Sequence, residues 1–263
     1  MGSEPNVNEY IQWGKFVAVA YEMYKQQTLN PAIPADFPTG WKRIANLTMD
    51  PASVKWNDIE FAGFIAESLD NPLLQAVVIR GTESPLDWLA DFEFSLERFH
   101  EYPNAGQTEK GFTDLYRSMK VVYDDGRPTE SLMSQVSDLP AGTSLLVTGH
   151  SLGSSLATLH AFVAGSQKVA VKLVTFASPR VGDRTFVEAF TNLGIPNARI
   201  FNLPDIVPKV PLDIVGYRHI EPGIEINSTL YPIKHSIPCY HALSTYLYVM
   251  GDEQVNIDKC KSS

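Results

Sequence analysis

The chain has 263 residues, of which 21 are Lys or Arg and 30 are Asp or Glu, giving a formal net charge of −9. With 44% hydrophobic residues, 17 Gly and 18 Pro it has the composition of an ordinary globular protein, long enough to bury a core without metal or disulfide staples. An acidic body repels phosphate backbones, so nucleic acid is excluded as an expected partner and anionic bilayers are disfavoured, whereas a neutral lipid surface is not.

No apolar run approaches the ~18 residues of a membrane span. Met1 to Tyr10 has neither a basic start nor an apolar stretch, so no signal peptide is expected in the chain as written. Localisation stays open between secreted, with a signal already cleaved, and cytoplasmic. Cys239 and Cys260 could close a loop or stay as buried thiols, and neither reading leads. The sequons at Asn46 and Asn227 do not decide between them.

There is no internal repeat, charge block or low-complexity linker, so residues 1–263 are read as one domain. Residues 9–27 carry apolar positions at helical spacing (Phe16, Val19, Ala20, Met23) and predict a helix that the Pro31–Pro38 stretch ends. The rest of residues 1–59 is read as irregular. Phe61–Glu67 and Leu74–Arg80 predict two strands joined as a hairpin through Asp70-Asn71-Pro72.

Beyond Ser144 apolar runs alternate with helical segments. Ser144–Thr148 leads into a helix from Leu152, Val171–Phe176 into one near Arg184–Leu193, and Ala198–Asn202 into a Pro-punctuated loop. This alternation predicts an α/β fold with a mostly parallel sheet covered on both faces, whose reactive groups lie at the carboxyl ends of the strands.

The strongest motif stands at such an end. Gly149-His150-Ser151-Leu152-Gly153 is a G-x-S-x-G between an apolar strand and a helix. The pattern alone arises by chance in roughly one chain in ten, but this context is specific: a strand turning straight into a helix needs small flanking residues and holds its serine exposed and strained. Ser151 is then a candidate nucleophile beside helix amides that favour developing negative charge.

A serine hydroxyl needs a base, and the base an orienting acid, in the chain order Ser, Asp or Glu, His. His241 is the candidate base, expected to open the helical segment Ala242–Val249; His235, boxed between prolines, is the weaker alternative. Asp205, directly after the strand ending near Leu203, is the candidate acid. Asp183 is the runner-up, although it fits better as a helix N-cap. Arg80-Gly81-Thr82 places Thr82 to supply a second oxyanion-hole donor beside the amide of Leu152.

Ser84-Pro85-Leu86-Asp87 reads as an N-cap, a first-turn proline and an acid, and predicts a short helix over Pro85–Ala90. Leu86, Trp88, Leu89 and Phe92 are apolar enough to make this segment, about residues 84–94, a mobile lid over the site, or else permanent core.

Taken in order, Arg80-Gly81-Thr82, Asp87-Trp88-Leu89-Ala90-Asp91, Gly111-Phe112, the pentapeptide at 149–153, Ser178-Pro179-Arg180-Val181-Gly182, Asp205-x-Val207-Pro208 and His241 with Tyr246 resemble the fungal-type class 3 lipases of the α/β-hydrolase superfamily. The resemblance spans about residues 60–250. It implies a central mostly parallel mixed sheet with helices on both faces and a short helical lid. It also implies a Ser151–Asp205–His241 triad, an oxyanion hole from Thr82 and Leu152, and a lid including Ser84 and Asp91, with Asp91 meeting the Thr82 hydroxyl when the lid opens. The chain departs from the family in having Lys110 where His often precedes the Gly-Phe pair, and in holding only two cysteines.

The expected function is hydrolysis of carboxylic esters, in particular of triacylglycerol at a lipid–water interface. The alternatives are a soluble carboxyl or feruloyl-type esterase and a non-catalytic lipase-like module. A lipid or other ester substrate and a transient contact with a neutral lipid surface are the expected partners. No stable protein partner, cofactor or metal is implied, since neither HExxH nor CxxC is present.

Overall fold

The computed structural model describes residues 6–50, 59–82 and 94–262. Its helices are α1 (Val7–Tyr24), α2 (Lys110–Ser118), α3 (Leu132–Gln135), α4 (Leu152–Ser166), α5 (Arg184–Asn192), α6 (Ile237–His241) and α7 (Leu243–Val249). The main strands are β1 (Trp41–Met49), β2 (Glu60–Ser68), β3 (Leu74–Ile79), β6 (Lys120–Tyr123), β7 (Glu130–Ser131), β8 (Ser144–His150), β9 (Ala170–Phe176), β11 (Asn197–Asn202) and β13 (Gly223–Ile226). They form one sheet in the order β13-β11-β9-β8-β3-β2-β1-β6-β7. The run from β3 to β13 is parallel, and the pairings from β3 outward through β2, β1, β6 and β7 are antiparallel.

Alternation along the strands splits the core between the two faces of the sheet. Val77, Ile79, Leu145 and Val147 pack on the side of α2 and α4, while Ala76, Val78, Leu146 and Val174 pack on the side of α1 and α7. α1 starts at Asn6, whose side chain accepts the Glu9 amide at 3.2 Å, and buries Trp13, Phe16, Val17, Ala20 and Met23.

The register aligns the strand ends that matter. Ile79 pairs with Gly149, His150 with Phe176, and Phe176 with Ile200. The turns after β3, β8, β9 and β11 therefore leave the sheet at one rim, where the sequence placed the chemistry.

One expectation is corrected. Residues 1–59 are not only a helix and an irregular segment, because Trp41–Met49 is a nine-residue strand. Its inner half buries polar residues, Asn46 at 1% exposure and Thr48 at 6%, and Asn46 Nδ2 donates to Asn30 Oδ1 at 2.9 Å. Ala45-Asn46-Leu47-Thr48-Met49 does alternate apolar with polar, but the register shift between Arg43 and Ala45 keeps Trp41–Ile44 out of that period and leaves only five residues to show it.

A smaller sheet, ordered β12 (Tyr217–Arg218), β10 (Gly182–Asp183), β5 (Gln107–Glu109) and β4 (Leu96–Arg98), lies beside the main one. Glu109 caps α2 from within it, accepting the Phe112 amide at 2.7 Å, and burial pushes its carboxyl up to about 7. The native state thus binds a proton at Glu109 that the unfolded chain releases near the ordinary carboxylate range. Glu109 contributes stability at low pH that is lost as pH rises from about 4.5 to about 7, on the order of 3 kcal/mol in all.

Buried His160 and half-buried His219 act in the opposite sense. Desolvation lowers both to about 3, so their contribution is present above 6.5 and lost as pH falls towards 3. Subtracting the melting temperature of the wild type from that of Glu109→Gln isolates the first effect: the difference is expected to grow in favour of the variant between pH 4.5 and 7. A flat difference contradicts it.

At the C-terminus Cys239 and Cys260 form a disulfide with an S–S distance of 2.10 Å, which decides the tie between bonded and free thiols. The tail it ties down is further held by Lys234 N–H to Cys260 O at 2.8 Å and Ser262 N–H to Pro232 O at 3.0 Å.

Candidate active site

Between β8 and α4 the chain turns at Ser151, whose φ of 57° and ψ of −129° lie outside the ordinary regions for a residue with a side chain. The flanking glycines are needed for close approach. A Cβ on Gly149 would stand 2.4 Å from Gly153 O, and one on Gly153 would stand 2.4 Å from both Ile79 O and Arg80 O. The Ser151 amide donates to Phe176 O at 2.9 Å, which ties the turn to the end of β9.

Three residues from three separate segments meet here. His241 Nε2 lies 2.8 Å from Ser151 Oγ, and His241 Nδ1 lies 2.8 Å from Asp205 Oδ2. All three are buried, with Ser151 and Asp205 at 0% exposure and His241 at 3%. Asp205 accepts only, so Nδ1 carries the ring proton and Nε2 is left to accept from the Ser151 hydroxyl. Asp205 Oδ1 accepts the Val207 amide at 3.0 Å, so the Asp also makes the local turn that its sequence setting suggests.

His241 is placed differently from expectation: it closes α6, and α7 begins two residues later at Leu243. The extended backbone at Ala242 separates α7 from α6, a short helix with Pro238 in its first turn that sequence periodicity does not show. The alternative candidates lie elsewhere. Asp183 caps α5 by accepting the Phe186 amide at 2.8 Å. His235 is exposed, 6.0 Å between ring centroids from Tyr240.

The turn after β3 lies against Ser151. A Cβ on Gly81 would be 2.9 Å from Ser151 Cβ and 2.6 Å from His150 O. The buried Arg80 side chain fixes this turn, donating from Nε to Phe61 O at 2.7 Å and from Nη1 to Gly81 O at 2.6 Å. Thr82 follows directly, and its buried Oγ1 has no hydrogen-bond partner among the described residues. Leu152 is the first residue of α4, where the opening amides have no intrahelical acceptor. Ser84, Leu86, Trp88, Leu89, Asp91 and Phe92, assigned to a lid, lie outside the described residues, as does the short helix expected over Pro85–Ala90.

Four further residues complete the surroundings. Tyr246 donates its hydroxyl to Asp205 Oδ2 at 2.7 Å and accepts the Asn202 amide at 3.0 Å. Burial beside that carboxylate pushes its phenol well above the ordinary range, so it remains a donor. Asn202 Nδ2 donates to Tyr240 O at 2.7 Å, holding the residue before His241. His150 and Tyr21 form a third line of contacts. Tyr246 has a faint sequence signal, five residues after the candidate base; Asn202, His150 and Tyr21 have none, because spacing reports burial and not which way a polar group points.

Among the described residues no group of three or more His, Cys, Asp or Glu side chains is placed to hold a metal ion, and no helix is long and apolar enough to cross a membrane.

The parallel sheet, the strained strand-to-helix turn and the three-segment rim define an α/β-hydrolase fold. Comparison with known proteins narrows this. The family model for lipase (class 3) matches residues 76–215, and the chain belongs to that family. Its relatives include phospholipase A1-Ialpha2, chloroplastic, of Arabidopsis thaliana, 29% identical over 80% of this chain and 52% of the relative. Another is the secreted mono- and diacylglycerol lipase A of Penicillium cyclopium, 35% identical over 64% of this chain and 52% of the relative.

Among solved structures, one described as a serine protease triad forming the catalytic centre of a triacylglycerol lipase is 26% identical, with a TM-score of 0.63 over 87% of this chain and 82% of that one. The native Rhizomucor miehei lipase propeptide complex is 25% identical, with a TM-score of 0.64 over 86% and 70%. The chain spans about half the length of the curated relatives it matches. Tyr21 and His241 both fall outside the family match, at opposite ends of the chain.

Proposed function

We propose that this chain, acting as one α/β-hydrolase domain, hydrolyses carboxylic esters of lipids by acyl transfer. The observation that carries this reading is the unbroken line Ser151 Oγ, His241, Asp205, with 2.8 Å at each junction. As Ser151 Oγ attacks the ester carbonyl carbon, its proton passes to His241 Nε2, and Asp205 holds the imidazolium that forms. The amides of Thr82 and Leu152 receive the oxyanion of the tetrahedral intermediate. His241 then gives its proton to the departing alcohol oxygen, leaving the acyl group on Ser151, and a water molecule, deprotonated by His241, releases the carboxylic acid. Only the imidazole with a bare Nε2 can begin the cycle.

For the substrate we propose a water-insoluble acylglycerol, triacylglycerol in particular, met at a neutral lipid surface. Support comes from the acylglycerol lipases among the relatives and solved structures and from the apolar Leu86, Trp88, Leu89 and Phe92 directly after the proposed oxyanion turn. The test compares an emulsified long-chain triacylglycerol with a dissolved short-chain ester, with diacylglycerol and a diacyl phospholipid as further arms. Faster turnover of the emulsion is expected. Preference for the dissolved ester moves the assignment to a soluble esterase, and preference for the phospholipid moves it towards the phospholipase A1 relatives.

A further inference from the structure

The sequence gives His150 no role beyond filling the variable position of the pentapeptide, and gives Tyr21 only a place on the apolar face of α1. In the fold the two are joined. His150 Nε2 lies 2.9 Å from His241 O, His150 Nδ1 lies 2.8 Å from the Tyr21 hydroxyl, and the Gly81 amide donates to the Tyr21 oxygen at 3.0 Å.

Donor and acceptor inventory fixes the direction of every bond. A main-chain carbonyl can only accept, so the His150 proton sits on Nε2. The ring is fully buried, which holds its pKa well below the ordinary histidine range, so it carries one proton and Nδ1 must accept. Nδ1 therefore takes the Tyr21 hydroxyl hydrogen, and the Tyr21 oxygen accepts from the Gly81 amide.

The run starts one residue before Thr82 and ends on the main chain of His241, and its third member, His150, is the residue before Ser151. It also sets the two imidazoles against each other, with His150 and His241 ring centroids 4.7 Å apart and the rings tilted by 40°.

We propose that Tyr21 and His150 are a positioning pair for the ester hydrolysis proposed above, on which this inference rests: their directed hydrogen bonds hold the oxyanion turn and the His241 imidazole at a fixed separation across Ser151. Neither touches substrate. Their effect is on the geometry reached in the transition state, where a displacement of about 1 Å can reduce the rate a hundredfold. α1, from the N-terminal part of the chain outside the family match, thereby becomes part of the catalytic apparatus.

Tyr21→Phe keeps the ring and removes the hydroxyl that serves both His150 and Gly81. On p-nitrophenyl butyrate it is expected to lower kcat at least about tenfold with KM within about twofold. His150→Gln is expected to do the same, and the double variant to be no worse than about the weaker single, since both break one unit. The second measurement needs no variant. Long-range 1H–15N spectra of the 15N-labelled wild type should show His150 with its proton on Nε2 and a bare Nδ1 between pH 5.5 and 8.

An Nδ1–H tautomer at His150 overturns the inference. So does a Tyr21→Phe protein with wild-type kcat, or one whose loss is wholly in KM. Wild-type protein that fails to turn over the ester overturns the hydrolase reading and this inference with it. Wild-type turnover left unchanged by both substitutions overturns the positioning pair alone.

Discussion

Asp205→Asn is expected to lower kcat by about 10⁴ while the protein keeps its fold and its affinity for a soluble ester. Three donors face the native carboxylate: His241 Nδ1–H and the Tyr246 hydroxyl at Oδ2, and the Val207 amide at Oδ1. An amide has only one oxygen for them. With its NH2 group towards His241, it drives the imidazole into the tautomer whose Nε2 carries the proton and cannot accept from Ser151. With its NH2 group towards Val207, it opposes a buried amide and pulls the turn apart. Both orientations also remove the negative charge that stabilises the imidazolium. The check is kcat and KM on a chromogenic ester alongside the melting temperature, and a loss under tenfold contradicts the assigned role.

Ser151→Ala is expected to abolish turnover without loss of fold. The hydroxyl is the proposed attacking group and nothing beside it can replace it, since Ser154 Oγ is already committed to Gly149 O and Phe176 O at 2.7 and 2.8 Å. Removing the Oγ deletes one hydrogen bond, to His241, and leaves the backbone of the turn in place. Its left-handed φ is held by Gly149, Gly153 and the Ser151 amide bond to Phe176 O, none of which the substitution touches. Retention of a tenth of the wild-type rate removes Ser151 from the nucleophile role.

The sequence made the parallel half of this fold legible because its strands are continuous apolar runs separated by helices, and a buried parallel strand has few other ways to look. The three candidate triad residues were legible for a related reason. Each sits directly after a strand or at a helix boundary, so strand ends alone narrowed the search for chemistry. β1 was missed although Ala45-Asn46-Leu47-Thr48-Met49 alternates with the period of a strand, because the run is short and the register shift between Arg43 and Ala45 puts Trp41-Lys42-Arg43-Ile44 out of that period. α6 was missed because its five residues, Ile237–His241, are too few to show a helical period, so His241 was read as opening the helical segment that follows it.

Hydrogen-bond direction lies beyond what spacing carries. Tyr246, Tyr21 and His150 read as one more aromatic or polar residue on an apolar face until their partners across 41, 60 and 91 positions of chain are known. The pairing of Cys239 with Cys260 was equally open, since two cysteines allow a bond without requiring one.

The central claim, that the Ser151 hydroxyl is made nucleophilic by His241 and Asp205, is tested most directly by a p-nitrophenyl alkylphosphonate, whose phosphorus is attacked as an ester carbon would be and then stays bound. Intact mass and peptide mapping of the treated protein should show one adduct, on Ser151, formed in step with the loss of esterase activity and absent from Ser151→Ala. An enzyme that stays unlabelled while fully active, or one labelled and inactivated at a different residue, contradicts the account.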